Sequence, residues 1–189
     1  MKRIAILASG AGSNAANILE HFKSKSVAEI VLIASNKQDA GVLQIAAKNS
    51  VPTYILTREN FKQSDEFILK LKSLQVDLIV LAGFLWKVPA NMVEHFPQRI
   101  INIHPSLLPK FGGKGMYGHF VHEAVHAAHE KESGITIHWV NEHYDEGTIV
   151  AQYKTQLDEA DSASDIERKV RALEIKSFPE VVEQVLKHL

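Results

Sequence analysis

Ile4-Ala5-Ile6-Leu7-Ala8-Ser9-Gly10-Ala11-Gly12-Ser13-Asn14-Ala15 is an apolar run, a glycine turn and the opening of a helix. Ile4 to Leu7 reads as a buried strand, and a helical pattern follows from about Ser13 to Lys23. The alternation continues outward. Ile30 to Ile33 is a second buried strand, Ala40 to Asn49 a second helix and Thr53 to Leu56 a short strand. From Phe61 to Leu74, the residues Phe61, Phe67, Ile68, Leu71 and Leu74 recur at helical spacing. Leu78-Ile79-Val80-Leu81 is the most hydrophobic run and predicts a central strand, with Arg99 to His104 the next. Such alternation implies right-handed crossovers and an α/β, Rossmann-like fold: a mostly parallel twisted sheet with helices on both faces.

The later pattern differs. Ile135, Ile137 and Trp139 alternate with Thr136 and His138 between Gly134 and Val140. Thr148 to Gln156 does so in part, after a turn at Asp145-Glu146-Gly147. This predicts an antiparallel addition in the C-terminal part. Ala163 to Leu189 is one helix, or two interrupted at Pro179. Repeats, linkers and low-complexity segments are absent, so residues 1–189 read as a single domain.

Composition narrows the function. The 189 residues are 46% hydrophobic, enough for a real core, and 21 basic against 22 acidic side chains give a net charge of −1. That balance offers no excess of cations to a nucleic-acid backbone. With 0 cysteines, disulfides and thiol catalysis are excluded. Met1 to Ala8 lacks the layout of a signal peptide, and no segment approaches the roughly 20 apolar residues that span a bilayer. The expectation is a soluble, cytoplasmic protein.

In open parallel sheets, ligands sit outside the carboxyl ends of the strands. Three loops there, near Ser9, Ala82 and Asn102, carry unusual chemistry. Gly10 to Ala15 fits the dinucleotide fingerprint, but the second strand ends Ala34-Ser35-Asn36-Lys37, with no acid until Asp39 to hold a ribose hydroxyl. What remains is a monophosphate site at Gly12, Ser13 and Asn14, or a plain tight turn with Ser13 as its N-cap. A side chain at Gly12 would be expected to block phosphate approach.

Asn102-Ile103-His104-Pro105-Ser106-Leu107-Leu108-Pro109 follows an apolar strand. Alternation puts Asn102 and His104 on one face: a neutral hydrogen-bond donor beside a group that exchanges protons near pH 7. Pro105 and Pro109 restrict the loop. Asp145 matters if the fold brings it beside His104, where it would favour the cation. His122-Glu123-Ala124-Val125-His126 matches the zinc-protease motif, with His119 and His129 nearby. It lacks an evident third ligand, so a solvated helix face is the simpler account and a zinc hydrolase the alternative from another class.

Taken together, Ser9 to Asn14, Ala82-Gly83-Phe84, Asn102 to Pro109, Gly134-Ile135-Thr136-Ile137-His138 and Asp145-Glu146-Gly147 resemble the glycinamide ribonucleotide formyltransferase family of folate-dependent enzymes. The resemblance runs from Lys2 to about Leu186. It implies a formyltransferase of purine biosynthesis that moves a formyl group from 10-formyltetrahydrofolate to the amine of glycinamide ribonucleotide. No metal, nucleic acid or membrane is implied, and a homodimer is one arrangement it allows.

By the same resemblance the N-terminal half binds phosphate and the C-terminal half holds folate and the chemistry. Gly12, Ser13 and Asn14 hold the phosphate, and Glu174 meets the ribose hydroxyls. Leu85, Trp86, Lys87 and Val88 line the pterin pocket, with Asn141 to Asp145, including Tyr144, on its other side. Asn102 also faces folate, and Ser64 stands where the family has a folate-contacting arginine, with Arg58 or Lys62 as substitutes. Asn102, a protonated His104 and Asp145 form the catalytic trio, and the Leu108–Pro109 bond is cis. An alternative within the class is a small formyl-folate enzyme with a different amine acceptor.

Overall fold

A computed structural model describes residues 1–189. In chain order the elements are β1 (Lys2–Leu7), α1 (Ser13–Phe22), β2 (Ala28–Ser35), α2 (Gly41–Lys48) and β3 (Thr53–Ile55). A π-helical turn (Glu59–Gln63), α3 (Glu66–Ser73), β4 (Leu78–Leu81), α4 (Ala90–His95) and β5 (Ile100–His104) follow. The last part comprises α5 (His119–Ala127), β6 (Glu132–Trp139), β7 (Ile149–Gln156) and α6 (Ala163–Leu186). One seven-stranded sheet runs in the order β3-β2-β1-β4-β5-β6-β7. Its first five strands are parallel, and β6 and β7 are antiparallel, as the change in periodicity predicts.

The apolar runs are nearly continuous because both faces are covered. Ile4, Ile6, Val80, Ile101 and Ile103 point to one layer, made by α1, α2, α5 and α6. Ala5, Leu7, Ile79 and Ile100 point to the other, with Phe61, Phe67, Leu71 and Met92. The chain crosses from one layer to the other between β1 and β4. The loops leaving those strands therefore diverge, opening a crevice at the topological switch point.

Two elements differ from expectation. The stretch from Phe61 to Leu74 is broken: Ser64 is extended (φ −142°) between the π-helical turn and α3. The six-residue α4 is too short for its periodicity to stand out in the sequence. Conversely, α6 is one 24-residue helix through Pro179, whose ring is buried in the layer beneath. Burial of Phe178, Val181, Val182 and Val185 on the same helix offsets the lost backbone bond. The Leu108–Pro109 bond is cis. No helix is long and apolar enough to cross a membrane.

Candidate active site

A cleft of about 740 Å³ lies along the carboxyl ends of the strands. Residues 9–14, 81–88, 102–105 and 113–118 line it, together with the loop after β6 and one face of α6. At one end, Gly12 precedes α1 in a left-handed conformation (φ 82°), and no side chain caps the helix. Its first amides are thus free to meet an anion. A Cβ at Gly12 would lie 2.7 Å from the Val42 Cα, so a side chain would strike α2 and not the ligand. The glycine is needed for packing and for its φ, which corrects the expectation that bulk there would block phosphate directly. Ser13 is the first helical residue rather than the cap.

The Asn14 amide donates to Glu174 Oε2 at 3.0 Å, tying α1 to α6. Burial pushes the Glu174 carboxyl above its usual range, against the opposing pull of Asn14 and Arg171. Arg171 and Lys37 also line this end, and the sequence reading did not single them out. Ser9 braces the floor: its hydroxyl donates to Asn36 Oδ1 at 2.6 Å and accepts from the Leu85 amide at 2.9 Å.

In the middle stand Asn102, His104 and Asp145. Ile101 and Ile103 belong to one layer, so Asn102 and His104 share the opposite face, as alternation predicts. The His104 Nε2–H donates to the Phe111 carbonyl at 2.8 Å, leaving Nδ1 3.6 Å from Asp145 Oδ2. Asp145 itself accepts from the Gly113 amide at 2.8 Å, and its backbone is left-handed (φ 57°), a conformation aspartate tolerates better than most residues. Burial raises the Asp145 carboxyl, but contacts with His138, His104 and Gly113 together hold it below its ordinary range.

Burial dominates at His104 and lowers its pKa, although Asp145 and the Phe111 carbonyl pull it upward. Burial thus opposes the imidazolium that Asp145 favours. A fourth group completes the set. His138 pairs opposite Asn102 across β5 and β6, with its Nε2 3.1 Å from the Asn102 amide and 3.6 Å from Asp145 Oδ1. Its Nδ1–H donates to the Trp139 carbonyl at 2.9 Å. Only the strand register reveals this neighbour, and the sequence carries no signal of register across the long connection from β5 to β6.

At the far end, Leu85, Trp86, Lys87 and Val88 form one wall, and Asn141 and Tyr144 the other. Trp86 is anchored through Phe61 and Phe84, with ring centroids 6.0 and 6.4 Å away. Ser64 is not in this wall. Its hydroxyl donates to the Glu59 carbonyl and accepts from the Glu66 amide, so it joins the π-helical turn to α3 and offers nothing to a ligand. Arg58 is likewise outside the lining, and Lys62 lies over the Trp86 ring at 5.5 Å.

The zinc-type motif on α5 is split. His122 is buried, faces the cleft and has no hydrogen-bond partner at Nδ1, whereas Glu123 and His126 are exposed. No three His, Cys, Asp or Glu side chains converge as a ligand set. His122 is thus not part of a solvated face, and burial lowers its pKa despite the nearby Glu167.

Residues 2–182 match the Formyl transferase family. The chain is 40% identical over 187 residues to a chloroplastic phosphoribosylglycinamide formyltransferase of Arabidopsis thaliana, covering 96% of this chain and 64% of that protein. It thus spans just under two thirds of the plant relative's length. It is 34% identical to the phosphoribosylglycinamide formyltransferase of Bacillus subtilis, covering 98% of this chain and 95% of that one. The crystal structure of the Bacillus halodurans phosphoribosylglycinamide formyltransferase superposes with a TM-score of 0.88 at 33% identity, over 98% of this chain and 95% of that chain.

Proposed function

This chain belongs to the formyl transferase family, and we propose that it transfers the formyl group of 10-formyltetrahydrofolate to the amine of glycinamide ribonucleotide, a step of purine synthesis. The observation that carries the reading is the placement of Asn102, His104 and Asp145 between the uncapped start of α1 and a slot walled by Trp86 and Tyr144. A ribonucleotide phosphate fits the first end and a flat heterocycle the second. Glu174, held by Asn14, suits ribose hydroxyls as an acceptor.

The folate supplies the formyl carbon. As the amine attacks it, the carbonyl oxygen gains negative charge, which the Asn102 amide stabilises by hydrogen bonding. The attacking nitrogen becomes acidic, and neutral His104 with Asp145 accepts its proton. The resulting imidazolium is stabilised by Asp145 and by the oxyanion, then returns the proton to the departing folate nitrogen as the carbon–nitrogen bond breaks. One proton leaves the amine and one reaches the leaving group, so no other acid or base is required. His138 keeps the Asn102 amide and Asp145 in place.

Incubating the purified protein with 10-formyltetrahydrofolate and glycinamide ribonucleotide should give formylglycinamide ribonucleotide and tetrahydrofolate in equal amounts. Formylation of another amine in preference would move the reading to a different acceptor. Failure to consume the formyl donor with any amine would overturn it.

A further inference from the structure

His122 is buried in the wall of the cleft, yet no step of the reaction above uses it. It is 4% exposed and shares the buried stripe of α5 with Val121 and Val125. The rings of His21, His95, His104 and His138 each bond a protein atom, whereas neither nitrogen of His122 does. Its Nδ1 is sealed from solvent, so Nε2 is the nitrogen that opens on the cleft. An imidazole buried without partners weakens a fold, and an apolar side chain of similar size would suit the position better. A partner supplied by a ligand accounts for the polar ring.

The position of the ring says which part of the ligand it meets. One face of α6 presents Glu167, Val170, Arg171 and Glu174 to the cleft at helical spacing. Glu174 marks the ribonucleotide end through its bond to Asn14. Glu167 lies two turns back, about 10 Å along the axis, and its charge acts on His122 together with those of His104 and His119. His122 therefore stands where the cleft passes from Glu174 to His104. A ribonucleotide whose ribose meets Glu174 and whose amine reaches His104 lays its glycinamide arm across this stretch. The carbonyl oxygen is the strong acceptor of that arm. Burial favours the uncharged His122 ring against the pull of Glu167. A hydrogen on Nδ1 would have no acceptor, so Nε2 carries it and offers a donor to the cleft.

We propose that His122 is a specificity-determining residue for the formyl acceptor, its Nε2–H donating to the glycinamide carbonyl oxygen. The bond fixes the arm one carbon away from the amine and leaves the amine free to attack. An acceptor that lacks the carbonyl leaves a buried donor unpaired and is rejected for that reason. The inference rests on the glycinamide ribonucleotide reading above.

The test compares wild type with His122→Phe and His122→Gln. Each is assayed with glycinamide ribonucleotide and with its thioamide, in which sulfur, a weak acceptor, replaces the carbonyl oxygen. Wild type should show a KM about tenfold higher for the thioamide. His122→Phe should raise KM for the natural acceptor by a similar factor, leave KM for 10-formyltetrahydrofolate unchanged and lose the thioamide penalty, as coupled groups do. His122→Gln, which keeps an N–H donor, should recover most of the affinity. The melting temperature of His122→Phe should not fall, because no hydrogen bond within the protein is removed. An unchanged acceptor KM in His122→Phe, or a thioamide penalty kept there in full, would overturn the assignment. Wild type that formylates neither acceptor would instead overturn the formyl-transfer reading, so the two failures are distinct.

Discussion

The His104 imidazole holds Nδ1 3.6 Å from the Asp145 carboxylate while its Nε2–H is committed to the Phe111 carbonyl. The one position for a second proton therefore faces the carboxylate. Burial opposes that proton and the carboxylate attracts it, and burial wins in the free enzyme.

Asp145→Asn should lower turnover by about 10²–10⁴-fold, the range for loss of positioned acid–base catalysis. It should leave the ribonucleotide KM nearly unchanged, since the phosphate end lies elsewhere. In an NMR titration the His104 pKa should fall further in the variant, because the contribution that raises it is gone. An unchanged His104 pKa with full activity would remove Asp145 from the trio.

The pH dependence has a definite sign. An unfolded histidine titrates near 6.5, and buried His104 titrates lower. Its neutral form adds stability above the unfolded pKa, and this is lost as pH falls through the folded value. Asp145, also depressed, adds stability above its unfolded pKa that is lost as pH falls through its own folded value. Activity should accordingly decline on the acid side with an apparent pKa below 6.5, read from kcat/KM between pH 4 and 8.

Asn102→Ala should cost about 10²–10³-fold in kcat, typical for one oxyanion donor. Because Asn102 also bonds His138, the loss should be kept in Asn102→Asp, which preserves shape but replaces the amide donor with an acceptor. Comparing kcat with the KM values of the two variants checks the role.

Glu174→Gln should separate stability from binding. Burial raises the Glu174 pKa, so its favourable contribution is complete below the unfolded pKa and is lost as pH rises through the folded one. At neutral pH the neutral amide should therefore raise the melting temperature while weakening the ribonucleotide. Thermal melts at pH 4 and pH 7.5 should show the gain only at the higher pH.

Phe178, fully buried on α6, should cost about 3–5 kcal/mol when truncated to alanine. Urea unfolding measures this, and a change under 1 kcal/mol would show that α6 is not packed as described.

The strands were legible because a sheet buried on both faces needs uninterrupted apolar runs, and Ile4 to Leu7 and Leu78 to Leu81 have no other use. The shared face of Asn102 and His104 was legible from the period of a strand alone. His138 was not, since its partnership with Asn102 exists only in the register of β6 on β5. Nor was the downward pull of burial on His104: charge partners show in a motif, but depth of burial depends on the whole fold. Ser64 misled because its position in the chain lies near the folate wall while its hydroxyl closes a local turn. Pro179 left one helix or two open, and buried neighbours on α6 decide for one.

Asn14 and Glu174 are 160 positions apart in the chain, yet they meet in one hydrogen bond at the ribonucleotide end. A ribosome thus completes the parallel strands, and with them the glycine turn, long before α6 emerges. Asn14 gains its Glu174 partner only when almost all of the length has been made. Loss of α6 would take away the Glu174 partner of Asn14 together with the buried Phe178, Val181 and Val182, so this end of the cleft and the layer that covers the sheet stand or fall together.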